Sequence, residues 1–351
     1  MKKILFPILI VYISILCGCG STNNDNVVYE DHFTKWNACE AITTLKAYVE
    51  DVTNPSSKNY IKEEDRIATF DMDGTFVGEL YPTYFEYNLL EYRVLDDPSY
   101  KDKAPADVKE AAQDIRDFVR NGKKLPDHFD MKHAYAAAKA YAGMTLTEFD
   151  AYVKAYAAKP ANGFKGMTYG QSFFKPMLQV FDYLKANGFT IYVVSGSDRF
   201  ICRALVESIG ISPNRVIGMD VKLRSTKQGE VAGVNYTMEK AENLIRTDEL
   251  IIKNLKTNKV FQISQEIGKI PVISFGNSGG DCSMHNYCLS NTYRSVAFML
   301  IADDDARDHA NREKALKLGE QWREAGYHVI SMRDDFKTIY GEGVEKTDFS
   351  F

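Results

Sequence analysis

The 351-residue sequence predicts an α/β protein, built on a doubly wound parallel sheet with an inserted helical segment. Short apolar runs rich in β-branched residues alternate with longer runs of helical periodicity, as in proteins whose parallel sheet lies between two helical layers. Three of the apolar runs end in Asp, Ser or Gly-rich segments, and between residues 82 and 174 only helical patterns occur. These observations together define the fold class.

Residues 1–19 are predicted to be a leader that lies outside the fold. Its basic start is followed by the apolar run Ile4–Leu16, which is too short to span a bilayer comfortably and is typical of a secretory signal. The end of the leader, Leu16-Cys-Gly-Cys19, resembles the bacterial lipobox with Cys19 as the lipidated residue; an ordinary cleaved signal peptide is the alternative. The polar residues that follow are typical of a flexible tether. We therefore expect an exported lipoprotein, anchored to a membrane of the bacterial cell envelope through Cys19.

Composition and charge exclude some classes of function. The chain is 45% hydrophobic and 26% charged, as in ordinary globular proteins, and its net charge of −5 gives no basic excess for binding nucleic acid. No Cys-x-x-Cys pair follows the leader, so a zinc site is not expected. Four cysteines remain after the leader, and we expect buried free thiols, although export would permit disulfides whose pairing the sequence does not show: Cys39, Cys202, Cys282 and Cys288.

The first elements after the tether are a helix and a buried strand. Trp36, Leu45 and Val49 recur at roughly helical spacing, which predicts a helix packed outside the first strand. The apolar, β-branched run Ile67–Phe70 predicts that strand, which ends at two carboxylates and a glycine.

The segment of residues 82–174 is predicted to be a helical insertion. Its helical patterns cover Pro105–Arg120 and Lys132–Tyr141, and a capping box at Thr145-x-x-Glu148 begins another helix. The segment returns through three glycines that could serve as hinges: Gly163, Gly166 and Gly170. Five aromatic side chains follow the first strand, and we expect most of them in the core of the insertion: Tyr81, Tyr84, Phe85, Tyr87 and Tyr92.

The alternation of strands and helices resumes after the insertion. The helix Pro176–Asn187 precedes a second buried strand at Phe189–Val194, a helix spans Asp198–Ile209, and a third buried strand is predicted at Pro271–Phe275. The remaining elements are expected in this order: strands at Val216–Leu223 and Val231–Thr237, a helix at Ala241–Leu255, a strand at Ser295–Leu300, a helix at Ala306–Ala325 and a strand at His328–Ser331.

Polar residues follow three predicted strands, at ends that a parallel sheet brings to one edge. Asp71 and Asp73 follow the first strand; two carboxylates at this spacing can bind a divalent cation and perform acid–base chemistry, although an Asx-rich turn is the alternative. Ser195 follows the second strand and precedes a helix, where a hydroxyl and backbone N–H groups form a phosphate site. Asn277 and Asp281 follow the third strand, as oxygen ligands for a hard cation such as Mg²⁺.

A cation is needed to balance the carboxylates and a bound phosphate. Lys259 begins the helix that precedes the third strand, whereas Lys269 lies in the loop immediately before that strand. We favour Lys259 and keep Lys269 as the alternative.

Taken in order, these segments resemble the four motifs of the haloacid dehalogenase-like hydrolase superfamily. Phe70-Asp-Met-Asp-Gly-Thr75 is similar to the first motif, and Val194-Ser-Gly196 is similar to the second. Lys259 stands at the place of the third motif, and Gly276-Asn-Ser-x-x-Asp281 is similar to the fourth. Each motif is short, but the four in this order, across residues 67–285, are specific.

The resemblance extends to the domain organisation. An insertion between the first two motifs is similar to the C1 cap of phosphoserine and phosphorylcholine phosphatases. It implies a Rossmann-like core of residues 63–81 and 175–351, a cap of residues 82–174, and a tether with an N-terminal helical segment at residues 20–62. One departure is Asn277, where the family usually has Asp, so that a metal site would lose one negative charge.

The resemblance implies a Mg²⁺-dependent phosphatase that acts through an aspartyl-phosphate. Asp71 would be the nucleophile and Asp73 the general acid and base. Ser195, the N–H of Gly196 and Lys259 would hold the transferring phosphoryl group. The metal ion is expected at four residues: Asp71, Asp73, Asn277 and Asp281.

A helical cap of this size is expected to enclose a small phosphomonoester. Glu79 could meet an ammonium group and Arg93 a carboxylate, which together would suit phosphoserine, although both side chains can equally be merely solvated. Phosphocholine is the alternative, because its quaternary ammonium would prefer an aromatic cage such as Tyr81, Tyr84 or Tyr87. A phosphotransferase, a non-catalytic lipoprotein that binds a phosphorylated ligand, and the oligomeric state remain open from the sequence.

Overall fold

The computed structural model of the protein describes residues 32–351. The predicted leader, the tether and the lipidation residue Cys19 lie outside the described residues. From residue 32 onwards, no helix is both long and apolar enough to cross a membrane. The four cysteines of this part of the chain are free thiols, as the sequence predicts, and Cys202 and Cys288 are buried.

The described chain contains strands in two sheets and helices around the larger sheet. The strands are β1 (Ile67–Phe70), β2 (Phe164–Lys165), β3 (Thr190–Asp198), β4 (Val216–Ser225), β5 (Leu244–Ile252), β6 (Ile273–Gly276), β7 (Val296–Ile301), β8 (His328–Ser331) and β9 (Glu345–Lys346). The helices are α1 (Glu40–Thr53), α2 (Phe85–Glu91), α3 (Ala106–Asn121), α4 (Phe129–Ala140), α5 (Leu146–Ala157), α6 (Lys175–Ala186), α7 (Arg199–Val206), α8 (Thr257–Glu266), α9 (Cys282–Leu289), α10 (Arg312–Glu324) and α11 (Met332–Asp335).

The larger sheet confirms the predicted doubly wound α/β fold. Its seven strands run in the order β5-β4-β3-β1-β6-β7-β8, with β1 in the centre. All neighbouring strands are parallel except β4 and β5, which pair antiparallel. The chain adds strands first on one side of β1 and then on the other, so the carboxyl ends of β1, β3 and β6 lie side by side.

Aromatic packing holds the central strands together. All four residues of β1 are buried, and the ring of Phe70 stacks on that of Phe275 in β6 at a centroid distance of 4.4 Å. Phe275 in turn stacks on Phe298 of β7 at 4.8 Å. Burial of such large rings contributes much of the apolar driving force in a core. The stack therefore fixes the positions from which the loops after β1 and β6 emerge.

The segment of residues 82–174 contains α2, α3, α4, α5 and β2, between β1 and β3 along the chain, and we call it the cap. The predicted capping box at the start of α5 is present: the Thr145 side chain accepts from the N–H of Glu148, whose carboxylate accepts from the N–H of Thr145. The glycine after α3, Gly122, has a φ of 64° and ends that helix.

The cap is joined to the larger sheet by backbone hydrogen bonds. In the loop between α4 and α5, the N–H of Gly143 donates to the carbonyl of Arg246 in β5 at 2.9 Å. The N–H of Arg246 donates back to the carbonyl of Met144 at 2.9 Å. The cap therefore covers the edge strand of the sheet, whose backbone groups would otherwise be unpaired.

Two of the glycines predicted as hinges are held by the C-terminal segment. The N–H of Thr347 donates to the carbonyl of Gly163 at 2.8 Å, next to the short pairing of β2 with β9. A Cβ atom at Gly166 would lie 2.2 Å from the carbonyl oxygen of Gly343, so the two backbones are in direct contact. These glycines serve close packing in this structure.

The chain between β4 and α8 corrects two sequence predictions. Residues 241–255, predicted as a helix, contain strand β5, and residues 231–237, predicted as a strand, contain only a 3₁₀ turn at Gly233–Asn235. The physical reason is tertiary: β5 pairs antiparallel with β4, with Val221 opposite Leu250, and its edge also bonds the cap. Contacts of this kind override local helical propensity.

Other boundaries differ from the predictions by shorter distances. The helix predicted from Ala306 begins only at Arg312, because the side chain of Asn311 accepts from the N–H of Lys314 and caps the helix there. The second predicted strand continues past Val194 to Asp198, with a register irregularity against β4.

Candidate active site

A pocket with a cavity volume of about 380 Å³ lies at the carboxyl ends of β1, β3 and β6. Core and cap both contribute to its walls, and its size suits a small metabolite. It brings together most of the residues that the sequence singled out: Asp71, Asp73, Glu79, Gly196, Lys259, Asn277 and Asp281.

Lys259 connects two of the carboxylates. Its Nζ donates to Oδ1 of Asp71 at 2.5 Å and to Oδ1 of Asp281 at 2.7 Å, and all three side chains are nearly inaccessible to solvent. Burial opposes the charge on Lys259, but Asp281 and Asp71 outweigh it and raise the pKa of the ammonium. Lys269, the alternative cation, pairs instead with Asp65 at 2.6 Å outside the pocket.

Asp281 is saturated by its own loop. Its Oδ2 accepts from the backbone N–H groups of Asn277 and Ser278, at 3.1 and 3.0 Å, and from the Ser278 hydroxyl. Burial opposes ionisation, but Lys259 outweighs it and lowers the pKa of Asp281. Asp281 is therefore an anion that shapes the loop and holds Lys259.

One carboxylate oxygen of Asp71 is free to react. Its Oδ1 accepts from Lys259, whereas Oδ2 has no hydrogen-bond partner in the described part of the chain. Burial and the nearby charge of Asp281 raise the pKa of Asp71, and Lys259 acts against that rise. The hydrogen bond from the Lys259 ammonium is the contact that favours the ionised carboxylate, the form that a nucleophile needs.

Asp73 is oriented by a serine that the sequence analysis did not assign a role. Oγ of Ser197 donates to Oδ2 of Asp73 at 2.7 Å, while Oδ1 of Asp73 is buried without a partner among residues 32–351. Burial raises the pKa of Asp73 to about 6, and the Ser197 hydrogen bond acts in the opposite direction. A carboxyl that titrates near neutrality is suited to donate and accept a proton.

The predicted phosphate site, which lies within the last residues of β3, is in place in part. Gly196 and Ser197 line the pocket, whereas the Ser195 side chain is fully buried and its Oγ accepts from the N–H of Ser197 at 3.0 Å. A phosphate contact of Ser195 remains a prediction. Ser197 follows the matched motif by only one residue, so the spacing alone could have included it.

Glu79 lies against the loop that follows β6. Both of its carboxylate oxygens are 3.4 Å from Nδ2 of Asn277, and Glu79 lines the pocket. Burial, with Asp73 and Asp71 nearby, raises the pKa of Glu79 to about 8. A cationic group brought to this wall would therefore favour the ionised form of Glu79.

The cap supplies aromatic and acidic groups to the pocket wall. The rings of Tyr84 and Tyr87 meet edge to face at a centroid distance of 5.2 Å, and both residues line the pocket together with Asp130 of α4. Glu86 of α2 also lines it and accepts from Nζ of Lys253 at 2.8 Å. Glu86 and Lys253 carried no signal in the sequence, because their pairing joins cap and core across 167 residues.

Two predicted substrate contacts are not brought to the pocket. Arg93 is buried in the cap, where it pairs with Asp97 at 2.8 Å and lies over the rings of Tyr100 and Tyr152. Its guanidinium is thus occupied by cap residues, which is the physical reason for correcting the expectation of a substrate carboxylate there. Tyr81 is fully buried, with its hydroxyl facing that of Ser172.

The donors at the base of the pocket fit a magnesium ion. Across residues 32–351 no group of three or more His, Cys, Asp or Glu side chains is placed to hold a metal ion. Mg²⁺, however, often takes only one or two carboxylates and completes its shell with waters and substrate oxygens. Asp71, whose Oδ2 has no partner among the described residues, lines the pocket together with Asp73 and Asn277. These three residues would supply the oxygen donors for the ion. Asp281, whose oxygens are all engaged, fits less well.

The comparisons with known proteins concern the fold. No family model matches the chain, and no curated protein matches its sequence. The fold of this chain is similar to that of a conserved protein of unknown function from Anaerococcus prevotii DSM 20548. The two structures have a TM-score of 0.51 at 15% sequence identity, over 86% of this chain and 94% of that protein. Cytosolic 5′-nucleotidase IIIB bound to cytidine has a TM-score of 0.50 at 11% identity, over 87% and 90% of the two chains.

A phosphoserine phosphohydrolase-like protein from Francisella tularensis is a looser match, with a TM-score of 0.39 at 14% identity over 76% of this chain and 94% of that protein. At such identities a likeness extends to the fold alone. The strand order around β1 agrees with the two likenesses at TM-scores of 0.50 and 0.51: the chain has a Rossmann-like α/β fold.

Proposed function

We propose that this protein is a Mg²⁺-dependent phosphomonoesterase that forms an aspartyl-phosphate. The observation that carries the proposal is the triad at the base of the pocket, in which Lys259 donates to both Asp71 and Asp281. It leaves Oδ2 of Asp71 free beside a fixed positive charge, with the acid–base group Asp73 two residues further along.

In the first half of the reaction, Asp71 attacks phosphorus in line while the bond from phosphorus to the leaving oxygen breaks. Asp73 gives its proton to that oxygen, and Lys259 balances the charge of the phosphoryl group. In the second half, Asp73 takes a proton from water as the water attacks phosphorus, which releases phosphate and regenerates the Asp71 carboxylate. The Gly196 N–H and Ser195 are the proposed phosphoryl contacts.

A magnesium ion held by Asp71, the Asp73 backbone carbonyl and Asn277 would screen the repulsion between carboxylate and phosphate. The protein itself supplies charges that are already in position, because Lys259 and Asp281 form their ion pair before substrate binds. Because these charges are already oriented, they need not be rearranged as the transition state forms.

For the substrate we propose a small phosphomonoester with an ammonium group, phosphoserine being favoured. Glu79 on the pocket wall supports a cationic group in the substrate. Phosphocholine is the second candidate, because the rings of Tyr84 and Tyr87 lie on the same wall and can face a quaternary ammonium. Comparison of kcat/KM for the two esters decides between them, and equally poor rates on both would reject both substrates.

Hydrolysis of p-nitrophenyl phosphate tests the proposed activity. We expect release of p-nitrophenol with Mg²⁺, no release with excess chelator, and loss of turnover in Lys259→Met. Absence of turnover in the wild-type chain, combined with measurable binding of phosphate esters, would favour a non-catalytic phospholigand-binding protein. Transfer of phosphate to an added alcohol in preference to water would indicate a phosphotransferase.

We further propose that the protein is exported and held in the bacterial cell envelope by lipid on Cys19. The leader sequence supports this proposal through its basic start, its short apolar run and the lipobox-like end at Cys19. A pocket for a small metabolite and a net charge of −5 agree with a phosphomonoester rather than nucleic acid as the partner.

A further inference from the structure

Lys256 has a backbone conformation that disfavours its side chain. Its φ of 54° and ψ of −125° lie in a region that glycine adopts readily and residues with a Cβ avoid. Across residues 32–351, the only other non-glycine residue with positive φ is His128, at 58°. The ψ of His128 is 29°, in the left-handed region that histidine tolerates.

The contacts that hold this backbone do not require a lysine. The N–H of Lys256 donates to the carbonyl of Gly280 at 3.0 Å, and its carbonyl accepts from the N–H of Lys259 at 3.1 Å. Both bonds are made by main-chain atoms, which glycine also has. A conformational cost retained at a pocket wall, without a structural need for the side chain, points to a use of that side chain.

Lys256 lines the pocket and is the lysine of that lining that has no charged partner among residues 32–351. Of the other lysines lining this pocket, Lys253 pairs with Glu86, and Lys259 pairs with Asp71 and Asp281. Within the described chain Lys256 has neither an ion pair nor a side-chain hydrogen bond. Its ammonium is therefore available to an anionic group that enters the pocket.

We propose that Lys256 is a specificity-determining residue that pairs with a second anionic group, such as a carboxylate, on the alcohol part of the phosphomonoester. The inference rests on the proposed function and assigns to Lys256 the role that the sequence suggested for Arg93. Glu79 and Asp130 line the same pocket without a cationic partner in residues 32–351, so they are available to an ammonium group of the substrate. The pocket would then select an alcohol part that carries a positive group at one end and a negative group at the other.

Two esters that differ only by a carboxylate test this role: O-phosphoserine and phosphoethanolamine. In Lys256→Gly we expect KM for phosphoserine to rise roughly tenfold or more, the value of a hydrogen-bonded charge pair. KM for phosphoethanolamine and for p-nitrophenyl phosphate should stay within about twofold, since neither carries the second anion. Lys256→Arg should restore part of the affinity for phosphoserine.

The melting temperature supplies a second readout. Lys256→Gly should raise it, because the strained conformation becomes a relaxed one. His128→Gly is the matched control: it removes the other positive-φ side chain of the described residues, which does not itself line the pocket, and should leave all kinetic constants unchanged. An equal rise in KM on all three esters would instead place Lys256 on the phosphoryl group and overturn the proposal, as would no change on phosphoserine.

The role of Lys256 can be tested even if the protein has no phosphatase activity. If the wild-type chain hydrolyses no ester, calorimetric binding of phosphoserine and phosphoethanolamine to the chain, with and without Lys256→Gly, replaces KM. Lys256 retains its role if the variant weakens phosphoserine binding alone. Equal binding of phosphoserine by both chains would contradict the proposal.

Discussion

Among the individual residues of the pocket, Asp73 is oriented by a single side chain, that of Ser197. The Ser197 hydroxyl donates to its Oδ2 at 2.7 Å and leaves Oδ1 buried and unpartnered in the described structure. A side chain with a single fixed hydrogen bond has a defined rotamer, and an acid–base group must lie within reach of its proton acceptor. Ser197 is thus a positioning residue for Asp73.

Replacement of Ser197 should affect poor leaving groups most. In Ser197→Ala we expect kcat on an alkyl phosphate to fall roughly tenfold, a part of the usual acid–base contribution. The loss on p-nitrophenyl phosphate should be smaller, because its leaving oxygen needs little protonation. Ser197→Thr, which keeps the hydroxyl, should restore activity. Equal losses on both esters would mean that Ser197 only supports the fold.

His133 is a buried histidine that stays neutral. Burial lowers its pKa to about 4, despite the neighbouring Glu86, whose carboxylate lies 3.7 Å from Nδ1. The unfolded chain protonates this histidine near its usual pKa of 6.5. The unfolded state therefore binds more protons between pH 6.5 and 4, and the free energy of unfolding should fall as the pH drops through that window.

His133→Gln should reduce this loss of stability on acidification. We expect the wild-type chain to lose roughly 1–2 kcal/mol more than the variant between pH 7 and pH 5, measured by urea denaturation. Other titrating groups, including the buried His285 and the raised carboxyls of Asp73 and Glu79, cancel in the comparison. Identical pH slopes in the two chains would refute the assignment.

The residues at the strand ends were predictable, whereas those between cap and core were not. Asp71 and Lys259 share a pocket because the carboxyl ends of parallel strands and their loops must meet at one edge. Glu86 and Lys253 come from distant segments whose contact depends on how the cap docks. Arg93 was misplaced for a different reason: its partner Asp97 lies only four residues further along, within the cap.

Strand β5 lies where the sequence predicted a helix, and it connects the cap to the core. Its Arg246 is fully buried, with Nη2 at 2.5 Å from Oδ2 of Asp198 and the guanidinium 4.0 Å from the ring centre of Phe149 in the cap. The sequence around Arg246 has a helix-like pattern, and only the pairing with β4 and the loop at Met144 makes it a strand.

Removal of Arg246 should destabilise the protein strongly. Arg246→Met leaves the Asp198 carboxylate buried without its cation, which typically costs about 3–5 kcal/mol. The control is Arg224→Met on β4, because Arg224 pairs with the exposed Glu230 and such pairs contribute about 1 kcal/mol or less. Chemical denaturation measures both. A loss below that of the control would show that the buried ion pair between β5 and β3 does not stabilise the fold more than an exposed pair.

The doubly wound order could be predicted at the scale of the whole molecule, because alternating strands and helices allow few other arrangements. The antiparallel pair of β4 and β5 and the small sheet of β2 and β9 could not, because these are long-range pairings of short or ambiguous segments. The C-terminal strand β9 thereby fixes the return of the cap to the core, where the sequence suggested hinges.

Attachment of the whole molecule to a membrane can also be tested. Cys19→Ala should move the protein from the membrane fraction to the soluble fraction, because stable anchoring needs several acyl chains. The matched control is Cys17→Ala, which changes the neighbouring cysteine and should leave the protein on the membrane. Continued sedimentation of Cys19→Ala with membranes would count against lipidation.

The central claim, that Asp71 and Asp73 divide the work of nucleophile and acid–base group, is tested most directly by trapping the phospho-enzyme. After reaction with p-nitrophenyl phosphate and rapid acid quench, intact-protein mass spectrometry should find one added phosphate on Asp73→Asn, which can still be phosphorylated but has no base to activate water. Asp71→Asn should carry none, because an amide is a far poorer nucleophile. A phosphate adduct on Asp71→Asn and none on Asp73→Asn would contradict the account.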